Sequence, residues 1–376
     1  MPDITVMVKP ASGLCNMRCE YCFYMDELEH RAECKLSCMS EKVMERVIKE
    51  TLQFAENTCT YVFQGGEPTL TGLEFYKKWI TYEKKYNVNQ VHIYHSIQTN
   101  GYMLDDQWCD FLKEHHFLVG ISLDGTQRLH DQYRRDRIGE GTFERVMKTI
   151  ERCKAREIDF NILTVVTSQL ASEIEEVYRF YKEQGFGYQQ YIACLDPLDR
   201  EQGRQQYSLQ PDMYGEFLIK LFRMWKADLL AGTPVSIRLF ENYLCMLLGM
   251  RVESCEQRGV CGCQTVIEAD GSVYPCDFYA LDEYQIGNLA YEDLQSVEKR
   301  RREKKFIETS LNHSESCKKC KYFRLCRGGC RRHRDRGEEL YGQNIFCDSY
   351  KLFFDHCLNE LIQLAEILKQ QSKRIT

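Results

Sequence analysis

The stretch CNMRCEYC, Cys15 to Cys22, sets three thiols in a CxxxCxxC pattern just after the apolar run Ile4 to Val8. Three sulfurs at these gaps can wrap one corner of a four-iron four-sulfur cube and leave the fourth iron without a protein ligand. An iron left open in this way is where chemistry can happen. Plainer readings are a zinc site short of one ligand, or three cysteines buried as small hydrophobes. Zinc motifs usually pair CxxC with a second pair at matching distance, and no such fourth ligand stands near this triplet.

Outward from the triplet, runs rich in apolar, β-branched and aromatic residues alternate with helix-period segments. The strand-like runs are 4–8, 60–64, 91–97, 117–123, 160–166 and 188–194, and the amphipathic stretches between them are 40–56, 71–86, 105–115, 142–156 and 170–184. Ser40 is read as the cap of the first helix, where Val43, Val47 and Ile48 recur at helical spacing. This alternation predicts an α/β fold with a parallel sheet and right-handed crossovers. Six units predict a partial (β/α)6 TIM-like barrel, with ligands gathered at the carboxyl ends of the strands. A helix over 211–230 and a short strand over 235–239 follow. The segment CQTVIEADGSVYPC (263–276) then reads as a hairpin turning at Asp270-Gly271. The domain boundary is placed near 235, dividing a barrel over 1–234 from a small cysteine-rich α+β domain over 235–376 that closes on an amphipathic helix over 350–370.

A chain of 376 residues allows about two domains. The net charge of -6 argues against a broad nucleic-acid-binding face. No apolar run is long enough to span a membrane, and MPDITVMVKP lacks the pattern of a signal peptide, so a cytoplasmic location is expected. Twenty cysteines in a reducing compartment favour metal or cluster ligation over disulfides. The basic run RRHRDR (331–336) offers a face for an acidic target surface, and a solvated charge cluster is the preferred reading.

Further stretches stand where strands end. FQGGEPTL (63–70) follows the second strand; alone it is a strand-to-helix turn whose glycines permit unusual backbone angles. SLDG (122–125) ends the fourth strand and leads to LHDQYRRD, in which Arg134 offers a fork matched to a carboxylate. CLDPL (194–198) follows the sixth strand. From Cys255 onward come CEQRGVCGC, YPC ending at Cys276, CKKCKYFRLCRGGC (317–330) and Cys347, and a zinc module is the sober reading of any four of these thiols.

Taken together, CNMRCEYCFY, FQGGEPTL, SIQTNG (96–101), FLVGISLDG, FNILTVVTS, CLDPL, GSVYPCDFY and CKKCKYFRLCRGGCRR resemble the anaerobic sulfatase-maturating enzymes, which are radical S-adenosylmethionine enzymes with a SPASM auxiliary-cluster domain. The resemblance covers essentially the whole chain. It implies three 4Fe-4S clusters and S-adenosylmethionine as cofactors. Cys15, Cys19 and Cys22 would hold the first cluster; Cys255, Cys261, Cys276 and Cys330 a second; Cys317, Cys320, Cys326 and Cys347 a third. The nine other cysteines (34, 38, 59, 109, 153, 194, 245, 263, 357) are read as structural. The family's cofactor contacts fall on Tyr21, Gln64, Gly65, Gly66, Glu67, Ser122, Arg134 and Leu195, with the loop backbone and the Glu67 carboxylate receiving the methionine ammonium.

The implied activity is oxidation of a Cys or Ser side chain of a target sulfatase to Cα-formylglycine. A 5′-deoxyadenosyl radical takes hydrogen from Cβ, and Asp277, next to Cys276, is the family's base. Proton transfer from an ordinary thiol to an ordinary carboxylate is uphill by about 4.6 units, roughly 6 kcal/mol, so deprotonation is expected to accompany loss of an electron or to need a perturbed site. A sulfatase polypeptide is the expected partner, with a flavodoxin or ferredoxin as electron donor. Formation of thioether or carbon-carbon crosslinks in a peptide by another SPASM enzyme is the competing reading.

Overall fold

The computed structural model describes residues 3–32, 37–335 and 340–375. Ten strands run in chain order as β1 (Asp3–Val8), β2 (Thr58–Phe63), β3 (His92–Thr99), β4 (Leu118–Ser122), β5 (Phe160–Val166), β6 (Tyr188–Ala193), β7 (Ser236–Ile237), β8 (Thr265–Ile267), β9 (Ser272–Tyr274) and β10 (Gly287–Asn288). The first six alternate with helices, the (β/α)6 order read from the sequence. The segments form two compact units that interleave along the chain: 1–123, 130–161 and 263–306 make the first, and 124–129, 162–262 and 307–376 the second.

In the first unit β1, β2, β3 and β4 pair in parallel. Their inward residues are apolar: Val6, Val8, Tyr61 and Phe63 are fully buried. The helix Glu41–Phe54 covers this sheet with Met44, Val47, Ile48 and Leu52, and Ser40 caps it by accepting from the Val43 N–H at 3.3 Å. Asp105 does the same for Asp106–Glu114, accepting from Trp108 at 3.0 Å.

The hairpin expected at 263–276 forms, with β8 and β9 antiparallel. It does not stand apart after residue 235. β8 pairs in parallel with β1, Val6 opposite Thr265 and Val8 opposite Ile267. The sequence boundary near 235 is therefore no cut between compact units, because a backbone ladder joins residues on either side of it within the first unit.

In the second unit β5, β6 and β7 pair in parallel. The helix expected over 170–184 is two helices, Ser168–Ser172 and Ile174–Glu183, broken where Glu173 takes φ -113° and ψ 20°. Glu173 instead pairs with Arg128. The C-terminal helix Cys347–Ile375 packs on Pro211–Leu230. Phe353 buries fully between Phe222 and Phe240, a burial worth about 1.5–3 kcal/mol. No helix of the described residues is long and apolar enough to cross a membrane.

Candidate functional site

The site of the first unit is built from the segments that follow β1, β2 and β9. Cys15 to Cys22 occupies the connection from β1 to the helix Phe23–Glu29. A short bridge pins it: Met17 pairs with Asp136, and Arg18 N–H donates to the Arg135 carbonyl at 2.7 Å. Cys15 accepts at sulfur from the Met17 N–H at 3.4 Å and from Asn100 Nδ2 at 3.6 Å. Burial, reinforced by the Glu67 charge, pushes the Cys15 thiol up to about 11. Burial also raises Cys22, opposed by the Met25 and Tyr24 amides at the start of the following helix.

Left alone, such thiols stay protonated at neutral pH. A bound cation that deprotonates them reverses that balance. Three thiols on one loop, two of them with N–H groups directed at sulfur, fit an iron-sulfur cluster in donor type and number.

The loop after β2 lies against this segment. Gly65 has φ +80° and Gly66 φ +40°, backbone that only glycine adopts without strain. A Cβ on Gly66 would come within 2.3 Å of the Leu14 carbonyl oxygen, and one on Gly65 within 2.6 Å of Lys9 Cγ. The two loops therefore meet at bare backbone.

The Glu67 carboxylate is fully buried and accepts from Thr69 N–H (3.0 Å), Thr69 Oγ1 (2.7 Å), Thr99 Oγ1 (2.8 Å) and Asn100 N–H (2.7 Å). Burial raises its pKa while these donors oppose the rise. These bonds tie the loop to the end of β3.

Tyr21 and Arg134 are both buried and joined, Arg134 Nη1 donating to the Tyr21 hydroxyl at 3.1 Å. Ser122 ends β4 and accepts from Gln98 Nε2 at 3.2 Å. Leu195, after β6, belongs to the second unit.

Asp277 follows β9, and its carboxylate meets side chains from the segments that follow β1 and β2. Tyr24, two residues after Cys22, donates its hydroxyl to Asp277 Oδ2 at 2.7 Å. Gln64 Nε2 donates to the Tyr24 oxygen and also approaches Asp277 Oδ2 at 3.4 Å. Lys9 Nζ sits 2.9 Å from Asp277 Oδ1 and 4.6 Å from the centre of the Tyr24 ring. Glu268, on the turn of the hairpin, lies 3.5 Å from Lys9 and is bound by Ser12 (2.7 Å) and Arg31 (2.9 Å).

Burial alone would lower the Lys9 pKa, yet the Asp277 and Glu268 carboxylates raise it above the ordinary lysine range. Glu268 is held below the usual carboxylate range; burial opposes this but Lys9 and Arg31 prevail. Burial, then Asp277, raises Tyr24 far above its ordinary value. Lys9, Tyr24, Asn100 and Glu268 carried no signal in the sequence, because burial of a polar side chain depends on pairing across the sheet.

In the second unit the later cysteines separate into two groups. Burial pushes the Cys326 thiol up to about 12, and the charges of Cys347, Cys317 and Cys320 add to it. Cys330, four positions on, is raised by burial and then by Glu256, Cys255 and Cys261. Cys276 lies in the first unit.

The run RRHRDR is not a solvated cluster over the part described, and Arg336 lies outside the described residues. Arg331 and Arg334 are buried. Arg331 pairs with Asp335 at 2.8 Å, and Arg334 donates to the Ser310 carbonyl at 2.7 Å. Both oppose the rise that burial imposes on Cys261. Of the cysteines read as structural, 59, 109, 153, 194 and 357 are buried. Cys38 and Cys263 are exposed, so packing does not describe them, and Cys34 lies outside the described residues.

Residues 10–181 match the Radical SAM superfamily, and residues 255–321 match the iron-sulfur cluster-binding domain SPASM. The chain is 43% identical over 369 residues to a cysteine-type anaerobic sulfatase-maturating enzyme of Clostridium novyi, covering 98% of this chain and 99% of that one. It is 44% identical over 370 residues to the cysteine-type enzyme of Clostridium perfringens (98% and 100% covered), and 30% identical over 387 residues to a serine-type enzyme of Bacteroides thetaiotaomicron (98% and 92% covered). The solved structure of native anSMEcpe with bound AdoMet and Cp18Cys peptide superposes with TM-score 0.93 at 43% identity, covering 98% of this chain and 100% of that one. Similarity of this extent, end to end in sequence and backbone, makes the chain a member of the anaerobic sulfatase-maturating enzymes of the Radical SAM superfamily.

Proposed function

We propose that this protein oxidises a cysteine of a sulfatase polypeptide to Cα-formylglycine, with three 4Fe-4S clusters and S-adenosylmethionine as cofactors. The observation that carries the reading is the Asp277 carboxylate, tied through Tyr24 to the Cys15–Cys22 loop and through Gln64 to the glycine loop. When bound, the cofactors supply an abstractor of one hydrogen atom and an acceptor for one electron.

Cys15, Cys19 and Cys22 hold the first cluster, and the backbone of Gln64, Gly65 and Gly66 with Tyr21, Ser122, Arg134 and Leu195 surrounds S-adenosylmethionine. Cys255, Cys261, Cys276 and Cys330 hold one auxiliary cluster; Cys317, Cys320, Cys326 and Cys347 hold the other. Asp277 accepts the proton of the substrate thiol. A carboxylate offers about four acceptor positions. Tyr24 and Gln64 take the two on Oδ2, and Lys9 faces Oδ1 as an ion pair, which leaves Oδ1 an acceptor position for the incoming proton. The substrate CH2–SH gives up one hydrogen atom, one proton and one electron to become a thioaldehyde, and water then replaces sulfur and releases hydrogen sulfide.

The preference for cysteine is supported by 43–44% identity to cysteine-type enzymes against 30% to a serine-type one. A flavodoxin or ferredoxin in the cytoplasm supplies the electrons. The test is anaerobic incubation of reconstituted enzyme with two synthetic peptides, one carrying CxPxR and the other SxPxR, followed by mass spectrometry. Aldehyde on the cysteine peptide, formed faster than on the serine peptide, is expected. A crosslinked peptide that keeps all its sulfur would favour the competing reading.

A further inference from the structure

We infer that Lys9 is a positioning residue for the reaction: its buried ammonium fixes the Asp277 carboxylate in the orientation that receives the substrate proton. The inference rests on the reading of Asp277 as the base. β1 lies between β2 and β8, so the residue that leaves its carboxyl end can reach both the glycine loop and the hairpin. Lys9 does both. Its N–H donates to the Ile267 carbonyl at 2.8 Å, its stem fills the space where Gly65 would carry a Cβ, and its ammonium ends 2.9 Å from Asp277 Oδ1.

Two carboxylates compete for this ammonium, and the distances apportion it. Glu268 is farther, at 3.5 Å, and has its own cation in Arg31 at 2.9 Å and its own hydroxyl donor in Ser12 at 2.7 Å. Asp277 Oδ1 is buried with no hydrogen-bond partner among the described residues, and the Lys9 ammonium is its ion-pair partner. Oδ2 is held separately by Tyr24. Partners on both oxygens fix the carboxylate plane, whereas Tyr24 and Gln64, both on Oδ2, would leave Oδ1 free to turn. Lys9 is 2% exposed, so solvent does not dilute its hold.

A purely structural lysine would matter equally for iron binding, cofactor cleavage and product. A positioning lysine matters for product alone. Holoenzyme carrying Lys9→Met, which keeps the stem and removes the charge, is compared with Lys9→Arg, Asp277→Asn and the double variant Lys9→Met/Asp277→Asn. Iron content, 5′-deoxyadenosine and formylglycine on the CxPxR peptide are measured together. Lys9→Met is expected to keep its iron, to form 5′-deoxyadenosine within about 2-fold, and to lose about 10- to 100-fold in kcat for formylglycine with little change in peptide KM. Lys9→Arg should recover most of that loss. The double variant should be no slower than Asp277→Asn alone, since a residue that acts only through Asp277 has nothing left to act on.

A wild-type ratio of formylglycine to 5′-deoxyadenosine in Lys9→Met, with Asp277→Asn inactive, overturns the role of Lys9 and leaves the base in place. Equal loss of iron, 5′-deoxyadenosine and product overturns it as well. Wild-type turnover by Asp277→Asn removes the base reading and this inference with it. If Lys9→Met does not fold because two carboxylates lose their cation, Lys9→Met/Glu268→Gln is compared with Glu268→Gln alone, and the same ratio decides.

Discussion

The Tyr24 hydroxyl donates to the Asp277 carboxylate at 2.7 Å across 253 positions of sequence. One partner stands two residues after the last thiol of the N-terminal triplet, and the other stands one residue after Cys276. A single hydrogen bond thus links the helix that follows the thiol triplet to the carboxylate proposed as the base.

Replacing that carboxylate by its amide separates the two halves of the reaction. Asp277→Asn is expected to bind all three clusters and to keep making 5′-deoxyadenosine, while formylglycine falls by about 10²- to 10⁴-fold, the range of a lost general base. Parallel assay of the nucleoside and the peptide aldehyde checks this. Formylglycine at the wild-type rate would show that another group takes the proton.

Cys15→Ala removes one of the three thiols proposed for the first cluster and leaves the eight proposed for the other two unchanged. The variant should retain about eight irons where the unchanged chain holds about twelve, and should make no 5′-deoxyadenosine. Iron analysis with electron paramagnetic resonance of the reduced protein measures both. Loss of all iron would mean that the clusters are loaded interdependently.

Gly66→Ala should be more damaging than Gly65→Ala. At Gly66 the added methyl meets the Leu14 carbonyl at 2.3 Å, a backbone atom next to Cys15, whereas at Gly65 it meets the flexible stem of Lys9. With left-handed backbone at both positions, a cost of about 1–3 kcal/mol is expected at Gly66 and less at Gly65. Chemical unfolding of the two variants, with iron stoichiometry, tests the order; equal losses would contradict it.

Acid should weaken the fold through histidines that it keeps neutral. His313 is held down at about 4 from its ordinary 6.5, by burial first and then by Arg334 and Lys318. Buried His130 moves in the same direction, through burial and then Arg134. Between 6.5 and about 4 the unfolded chain binds a proton at His313 that the folded chain refuses, so stability falls as pH falls through that window. Discounted for the half-exposed ring, the His313 share is about 1–2 kcal/mol. The urea midpoint of His313→Gln should therefore change less than that of the unchanged protein between about pH 7.5 and about pH 5. Identical pH dependence would contradict the assignment.

The strands and most helices were legible because each carries its own period: Val6 and Val8 alternate, and Val43, Val47 and Ile48 recur at helical spacing. The turn at Asp270-Gly271 announced itself by residue type. The placement of its hairpin did not, since β8 finds β1 through hydrogen bonds between backbones with no local pattern in common. Arg331 and Arg334 read as solvated charge because their acceptors, Asp335 and the Ser310 carbonyl, are supplied by chain folding. Lys9 was invisible for the same reason, and so were the bonds that Glu67 accepts from Thr99 and Asn100, which come from the neighbouring strand end.

The pairing of β1 with β8 also bears on biosynthesis. One flank of β1 stays open until Ile267 has emerged from the ribosome, about 250 residues after β1 itself. At elongation rates of about 5–20 residues per second, the nascent chain passes about 10–50 s in that condition. Throughout that interval the thiol loop hangs from an unfinished sheet edge, the kind of edge that recruits other strands. The thiol loop and the open edge of β1 are therefore both presented by the nascent chain over the same interval.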